Sequence, residues 1–205
     1  MTSDLTVFVV DDDASVRDSL RLSLKLAGHA VEVFESATAF LASGVSGRRG
    51  CLITDIRMPD VDGLALQEEL VKGSSQLSVI IITGHGDIPL TVRAMRAGAV
   101  DFLEKPFARE ALLASVRRAL DISDRAGQAS LEARDIRGRI ASLTPREREV
   151  FDLVVAGKQS KVIAHELGAS PRTIEVHRGR MMNKLQAQSL QDLVRMAIAA
   201  SASSV

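Results

Sequence analysis

Short apolar runs and amphipathic stretches alternate along the first 120 residues. "LTVFVV" (5–10) is β-branched and almost wholly apolar, "AVEVF" (30–34) alternates, and "CLITD" (51–55), "SVIIIT" (78–83) and "AVDFLEK" (99–105) repeat the strand signal. Between them lie helical patterns. "SVRDSLRLSLKLAG" spaces Val16, Leu20, Leu24 and Leu26 for one face and stops at Gly28. "SATAFLAS" has Ser36 as its N-cap, and "GLALQEELVK" follows strand three. "IPLTVRAMRAG" carries Pro89 in its first turn and Gly98 past its end, and "AREALLASVRRAL" closes the series. Strands that are apolar on both sides and separated by helices predict a doubly wound, five-stranded parallel sheet covered on both faces, an α/β domain over residues 1–122.

The pattern then changes twice. Residues 123–142 are charged and small, with sparse apolar positions (Leu131, Ile136, Ile140), and predict a linker that is helical in part. Residues 143–205 carry no strand signal. Thr144, Pro145 and Glu147 form a capping-box start, Ser160 opens "KVIAHELG", Ser170 and Pro171 open "RTIEVHRGRMMNKLQ", and Ser189 opens "LQDLVRMAIAA". The tight "HELGASPRT" connection with Gly168 suits a small all-α helix-turn-helix domain. Its expected core is Val150, Leu153, Val154, Val162, Ile163, Leu167, Ile174 and Leu185, while Leu190, Leu193 and Val194 pack inside or form a dimer surface.

Charge sharpens the division. The 205-residue chain is neutral overall, with 26 basic and 26 acidic side chains. Residues 1–125 hold 14 Lys+Arg against 18 Asp+Glu, and residues 126–205 hold 12 against 8, so −4 is joined to +4. A basic helical half favours a nucleic-acid partner. The start "MTSDLTVFVV" lacks a basic stretch before its apolar run, which predicts a cytoplasmic protein without a membrane span. The one cysteine, Cys51, is expected to be a buried strand residue with no intrachain disulfide.

Ligands of parallel α/β sheets gather beyond the carboxyl ends of the strands. Asp11, Asp12, Asp55, Thr83 and Lys105 all fall there. Three neighbouring carboxylates repel one another, and a hard divalent cation such as Mg2+ offsets that repulsion while binding phosphate oxygens. Lys105 adds a fixed positive charge, and Thr83 can donate to a phosphoryl oxygen. Asp13 is expected to cap the first helix or to act from the outer sphere. Asp60 and Asp62 read as turn formers and His85 as an ordinary loop residue.

With "VVDDD", "TDIRMPDVDG", "IIITGHGD" and "DFLEKPF" in this order, the chain resembles two-component response regulators, and most of all their FixJ group, whose second domain is of the LuxR/NarL type. The resemblance implies a flavodoxin-like receiver phosphorylated on Asp55 by a cognate sensor histidine kinase. Mg2+ would be held by Asp11, Asp12, Asp55 and the Arg57 carbonyl. Thr83 and Lys105 would bind the phosphoryl group, Phe102 would be the switch aromatic, and Lys105–Pro106 would be cis. The face bearing Leu90, Val92, Met95 and Arg96 would form a homodimer when phosphorylated. The last domain would read double-stranded DNA, with Lys161–Leu167 as scaffold helix and Pro171–Leu185 as recognition helix. Arg172, Thr173, Glu175, Val176 and Arg180 would face the bases, while Lys161, Arg178 and Lys184 would meet phosphates. Glu175 and Gly179 depart from the commoner residues of the group; a DNA-facing Glu175 would accept from a cytosine amino group. Activation of transcription with RNA polymerase, nitrogen-fixation genes among the targets, would follow.

Two other readings fit parts of the sequence. Asp11 and Asp13 stand in the D-x-D order of haloacid-dehalogenase-like phosphatases. The chain could also be a receiver acting only as a protein-interaction module.

Overall fold

The computed structural model describes residues 5–44, 47–59, 61–73, 75–84 and 88–201. Asp60 and His85 lie outside them. Five strands alternate with helices: β1 (Thr6–Val10), α1 (Ala14–Leu26), β2 (Ala30–Phe34), α2 (Ala37–Ala42), β3 (Arg49–Asp55), α3 (Gly63–Lys72), β4 (Gln76–Thr83), α4 (Ile88–Arg96), β5 (Asp101–Glu104) and α5 (Arg109–Ala141). Four further helices follow: α6 (Pro145–Val155), α7 (Ser160–Glu166), α8 (Pro171–Leu185) and α9 (Leu190–Ser201).

All strand pairs are parallel, in the order β2-β1-β3-β4-β5. Successive side chains of a strand point to opposite faces, so the apolar runs feed two cores. Phe8, Val10, Leu52 and Ile81 pack with Phe40, Leu64, Leu66, Leu70 and Ala94, on the side of α2, α3 and α4. Val7, Val9, Cys51, Ile53, Ile80 and Ile82 pack with Leu20, Leu24, Leu112 and Val116, on the side of α1 and α5. Each buried Val, Leu, Ile or Phe among them is worth roughly 1.5–3 kcal/mol of transfer free energy. Cys51 is buried in the second core, and burial pushes its thiol far above the usual range, so it is not a thiolate nucleophile. Leu26 is 71% exposed, contrary to the helical face read from the sequence: it stands two residues beyond Leu24, off the Val16–Leu20–Leu24 row.

Caps set the helix starts. Asp13 Oδ1 accepts from the Ser15 and Val16 amides, Ser36 caps α2, and Asp62 caps α3 through the Ala65 amide. In the helical half, Thr144 and Glu147 close a reciprocal capping box on α6, and Ser170 caps α8. Ser160 does not cap α7. Gln159 occupies that position without a side-chain bond, and Ser160 is the first residue of the helix. The residues expected to form a partly helical linker are helical without a break as far as Ala141, inside the 33-residue α5.

By its contacts the chain divides into two compact units, at Gly127 and Gln128. In the first, Ser123 Oγ donates to the Gln76 carbonyl and accepts from the Gly50 amide, both at 2.8 Å, while Arg49 pairs with Asp124 at 2.6 Å. In the second, Ile136 and Ile140 pack against the helical core of Val150, Phe151, Val154, Ile163, Ile174, Met181, Leu185 and Leu193. Val162, expected there, is 46% exposed. Leu190 is also exposed, whereas Leu193 is buried.

Candidate functional site

The carboxyl ends of β1, β3, β4 and β5 bring Asp11, Asp55, Thr83 and Lys105 into one crevice. Parallel register does this directly, because Val10 lies beside Thr54, Asp55 beside Ile82, and Thr83 beside Glu104. The Lys105 amide donates to the Thr83 carbonyl at 2.7 Å, so the lysine loop is tied to the end of β4. The Lys105–Pro106 bond is cis.

The Lys105 ammonium bridges two acids, donating to Asp11 Oδ2 and to Asp55 Oδ1, each at 2.9 Å. Both acids are buried, while Lys105 is 26% exposed. Asp55 Oδ2 also accepts from the Arg57 amide at 2.8 Å, and Asp11 Oδ1 accepts from the Asp13 amide at 2.9 Å. Burial pushes the Asp55 carboxyl above its ordinary range and the Asp11 charge adds to this; the Lys105 bond pulls the other way without cancelling it. Burial alone would lower the Lys105 ammonium, but bonds to Asp11 and Asp55 outweigh it and the net direction is upward. Two carboxylates thus share one ammonium, and a negative charge is left over.

Asp12 is exposed at the mouth of the crevice, and among the described residues no three Asp, Glu, His or Cys side chains gather closely enough to hold a metal. The Asp11, Asp12 and Asp55 triad read from the sequence is therefore not preassembled: Lys105 stands between Asp11 and Asp55. The donors themselves fit a hard divalent cation, being carboxylate oxygens with one uncompensated charge. Asp13, whose carboxylate caps α1, is spent on the backbone, which removes the acid that a D-x-D phosphatase needs. Gly63, the first residue of α3, was not singled out by the sequence. A Cβ there would come within 2.2 Å of the Asp55 carbonyl oxygen, so only glycine lets α3 start this close.

Phe102 is half-buried against the core on the α4 side. On α4, Val92, Met95 and Arg96 are exposed, Leu90 is half-buried against the core, and Ile88 extends the apolar patch.

In the helical unit, α7 and α8 join through a short turn in which Gly168 has a φ of +60°. Ile174, Met181 and Leu185 bury one side of α8, while Arg172, Thr173, Glu175, Val176 and Arg180 are exposed. Lys161 is exposed on α7. Arg178, half-buried, and Lys184, exposed, both expected to meet phosphates, also bond to other helices of the domain. Arg178 donates to Ser160 Oγ at 2.8 Å, and Lys184 pairs with the buried Glu147 at 2.7 Å. Both partners are distant in sequence, and no local pattern announces them.

No helix among the described residues is long and apolar enough to cross a membrane. The family model for the response regulator receiver domain matches residues 7–117, and that for bacterial regulatory proteins of the luxR family matches residues 141–197. The transcriptional regulatory protein FixJ of Azorhizobium caulinodans is 48% identical over 200 residues, covering 98% of this chain and 95% of that protein. FixJ of Rhizobium meliloti is 47% identical over 197 residues, covering 96% and 97%. Among solved structures, the response regulator StyR matches with a TM-score of 0.83 at 44% identity, over 96% of this chain and 99% of that one. Full-length FixJ from B. japonicum matches with a TM-score of 0.59 at 45% identity, over 98% and 99%. The chain thus belongs to the two-component response regulators that join a receiver to a LuxR-type DNA-binding domain, a family of FixJ-like transcriptional regulators rather than enzymes.

Proposed function

We propose that Asp55 accepts a phosphoryl group from the phosphohistidine of a cognate sensor histidine kinase, and that this promotes receiver dimerisation and DNA binding. The observation that supports it most is the Lys105 ammonium bridging Asp11 and Asp55 at the strand ends. A carboxylate oxygen of Asp55 attacks phosphorus. An O–P bond forms as the N–P bond breaks, and the imidazole leaves and takes up a proton. Asp11, Asp12, Asp55 and the Arg57 carbonyl would hold Mg2+, which when bound neutralises charge between nucleophile and phosphoryl oxygens. The Lys105 ammonium, released from Asp55, follows the phosphoryl oxygens, and the Thr83 hydroxyl donates to one of them.

Displacement of Thr83 makes room for Phe102 to turn further inward. That alters the α4–β5 face, where Leu90, Val92, Met95 and Arg96 form the homodimer contact. A coupling of about 1–3 kcal/mol suffices for activation by several-fold to about a hundredfold. The paired domains then place two α8 helices on double-stranded DNA, with Arg172, Thr173, Glu175, Val176 and Arg180 toward the bases and Lys161 on phosphate. The protein acts in the cytoplasm and activates transcription with RNA polymerase. As its likeness to the FixJ group implies, nitrogen-fixation genes are among the targets.

Treatment with acetyl phosphate and Mg2+ tests the reading. Mass spectrometry is expected to place one phosphoryl group on Asp55, and Asp55→Asn to lose both the label and the gain in DNA binding. Label retained by Asp55→Asn, or label on Asp11, would overturn it.

A further inference from the structure

The basic residues of α8 divide into two sets. Arg172 and Arg180 are exposed on the side away from the core, while the half-buried Arg178 and the partly exposed Lys184 are tied to other helices of the same domain. A helix turns by about 100° per residue, so Arg178 and Lys184, six positions apart, sit roughly 120° apart around the axis. They flank the buried row of Ile174, Met181 and Leu185 on its two sides. One flank is held to the first residue of α7, Ser160, and the other to the start of α6 through Glu147.

We propose that Glu147 and Lys184, with Arg178 and Ser160 opposite them, are positioning residues that fix the roll of α8 and so aim its exposed face at DNA. This rests on the reading of α8 as the recognition helix. A side-chain tip lies roughly 6 Å from the helix axis, so a roll of about 20° would sweep it by about 2 Å. That displacement breaks a base-edge hydrogen bond, whose useful range is only a few tenths of an ångström wide.

Glu147 is suited to the task because it is buried and held by two bonds. Its Oε2 accepts from the Thr144 amide at 2.9 Å and from Lys184 Nζ at 2.7 Å, and the residue is 3% exposed. The same carboxylate closes the capping box at the start of α6, so Lys184 is tied to a fixed point of the domain. Lys184 sits in the last turn of α8, just before Gln186 closes the helix in the left-handed conformation at φ +55°. The ion pair therefore restrains the end of the helix that the N-cap at Ser170 does not reach.

The test uses the full-length protein and a duplex that the unmodified protein enriches from a random-sequence pool. Affinity is measured against salt concentration, well below each variant's melting transition. A phosphate contact contributes roughly 0.9 to the slope of log K against log salt. Glu147→Gln is expected to weaken binding about tenfold although it removes a negative charge, with the slope unchanged; a loss of this size corresponds to about 1.4 kcal/mol. Lys184→Met is expected to do the same, and Lys184→Arg, which keeps the ion pair, to restore most of the affinity.

A slope lowered by about 0.9 in Lys184→Met, with affinity kept or raised in Glu147→Gln, would make Lys184 a phosphate contact and overturn the proposal. Should Glu147→Gln not fold, Lys184→Met against Lys184→Arg decides by the same slope criterion. If instead Arg172→Ala and Arg180→Ala change neither affinity nor slope, the recognition-helix reading fails, and the positioning role fails with it.

Discussion

Two lysines, one in each unit, meet different numbers of acids. Lys105 faces two buried carboxylates, and Lys184 faces one. In the crevice, one ammonium divided between Asp11 and Asp55 leaves a charge unanswered, and burial holds the Asp55 carboxyl above its ordinary range. In the helical unit, Lys184 and the Thr144 amide hold the Glu147 carboxyl down at about 2. The unbalanced cluster has room in its charge balance for a further positive partner. The balanced pair leaves no surplus charge and serves as a brace. Similar residue types thus yield a cluster with surplus negative charge in one unit and a balanced joint in the other, and stoichiometry makes the difference.

The largest effect expected from breaking this contrast is at the brace. Lys184→Met strands a buried carboxylate, a change that costs about 3–5 kcal/mol for fully buried pairs; with Lys184 39% exposed, about 2 kcal/mol is expected. Urea denaturation of the DNA-binding unit within the full chain would measure it. A loss below about 0.5 kcal/mol would class the pair with ordinary surface pairs.

A smaller effect of opposite sign is expected in the crevice. Asp55→Asn removes the surplus charge and should raise the receiver melting temperature by about 2–5 °C, the amount that roughly 0.5–1 kcal/mol produces in a domain of this size. Differential scanning calorimetry without Mg2+ measures it, and a fall would show that the charge stabilises the fold.

The smallest signal is in pH. Glu147 has a depressed folded value, so its contribution is complete above about 4.5 and fades as pH falls toward about 2. Asp55 has a raised folded value, so its contribution is complete below the ordinary 3.8 and is lost as pH rises through the folded value. On mild acidification the receiver should therefore hold or gain stability before the helical unit begins to lose it. Separate melts followed across pH 3–7 check the order.

Most of the receiver could be read from the sequence because its determinants are local. Strands apolar on both faces, caps at Asp13 and Ser36, and acids or a lysine immediately after a strand each follow from a few neighbouring residues. The crevice was legible for the same reason, since parallel strands must bring their carboxyl ends together. Three kinds of feature were not legible. Val162 and Ser160 lie in a seven-residue helix, too short for periodicity to fix which side faces inward. The ties from Arg178 and Lys184 join residues 18 and 37 positions apart, and a basic side chain on a helix looks the same in sequence whether it reaches a phosphate or an internal acid. The sharing of Lys105 between Asp11 and Asp55 depends on side-chain conformations that no spacing rule encodes.

Gly63 carries a consequence for any attempt to redesign the receiver. Its backbone meets the Asp55 carbonyl with no room for a single methyl group, so the third helix and the third strand share one hard wall. Any side chain at that position would act as a wedge between the third helix and the backbone of the residue that Lys105 holds. Changes of kinase preference or operator choice can be sought on the rim and on the helical unit, but this point of the scaffold leaves evolution and engineering a single letter.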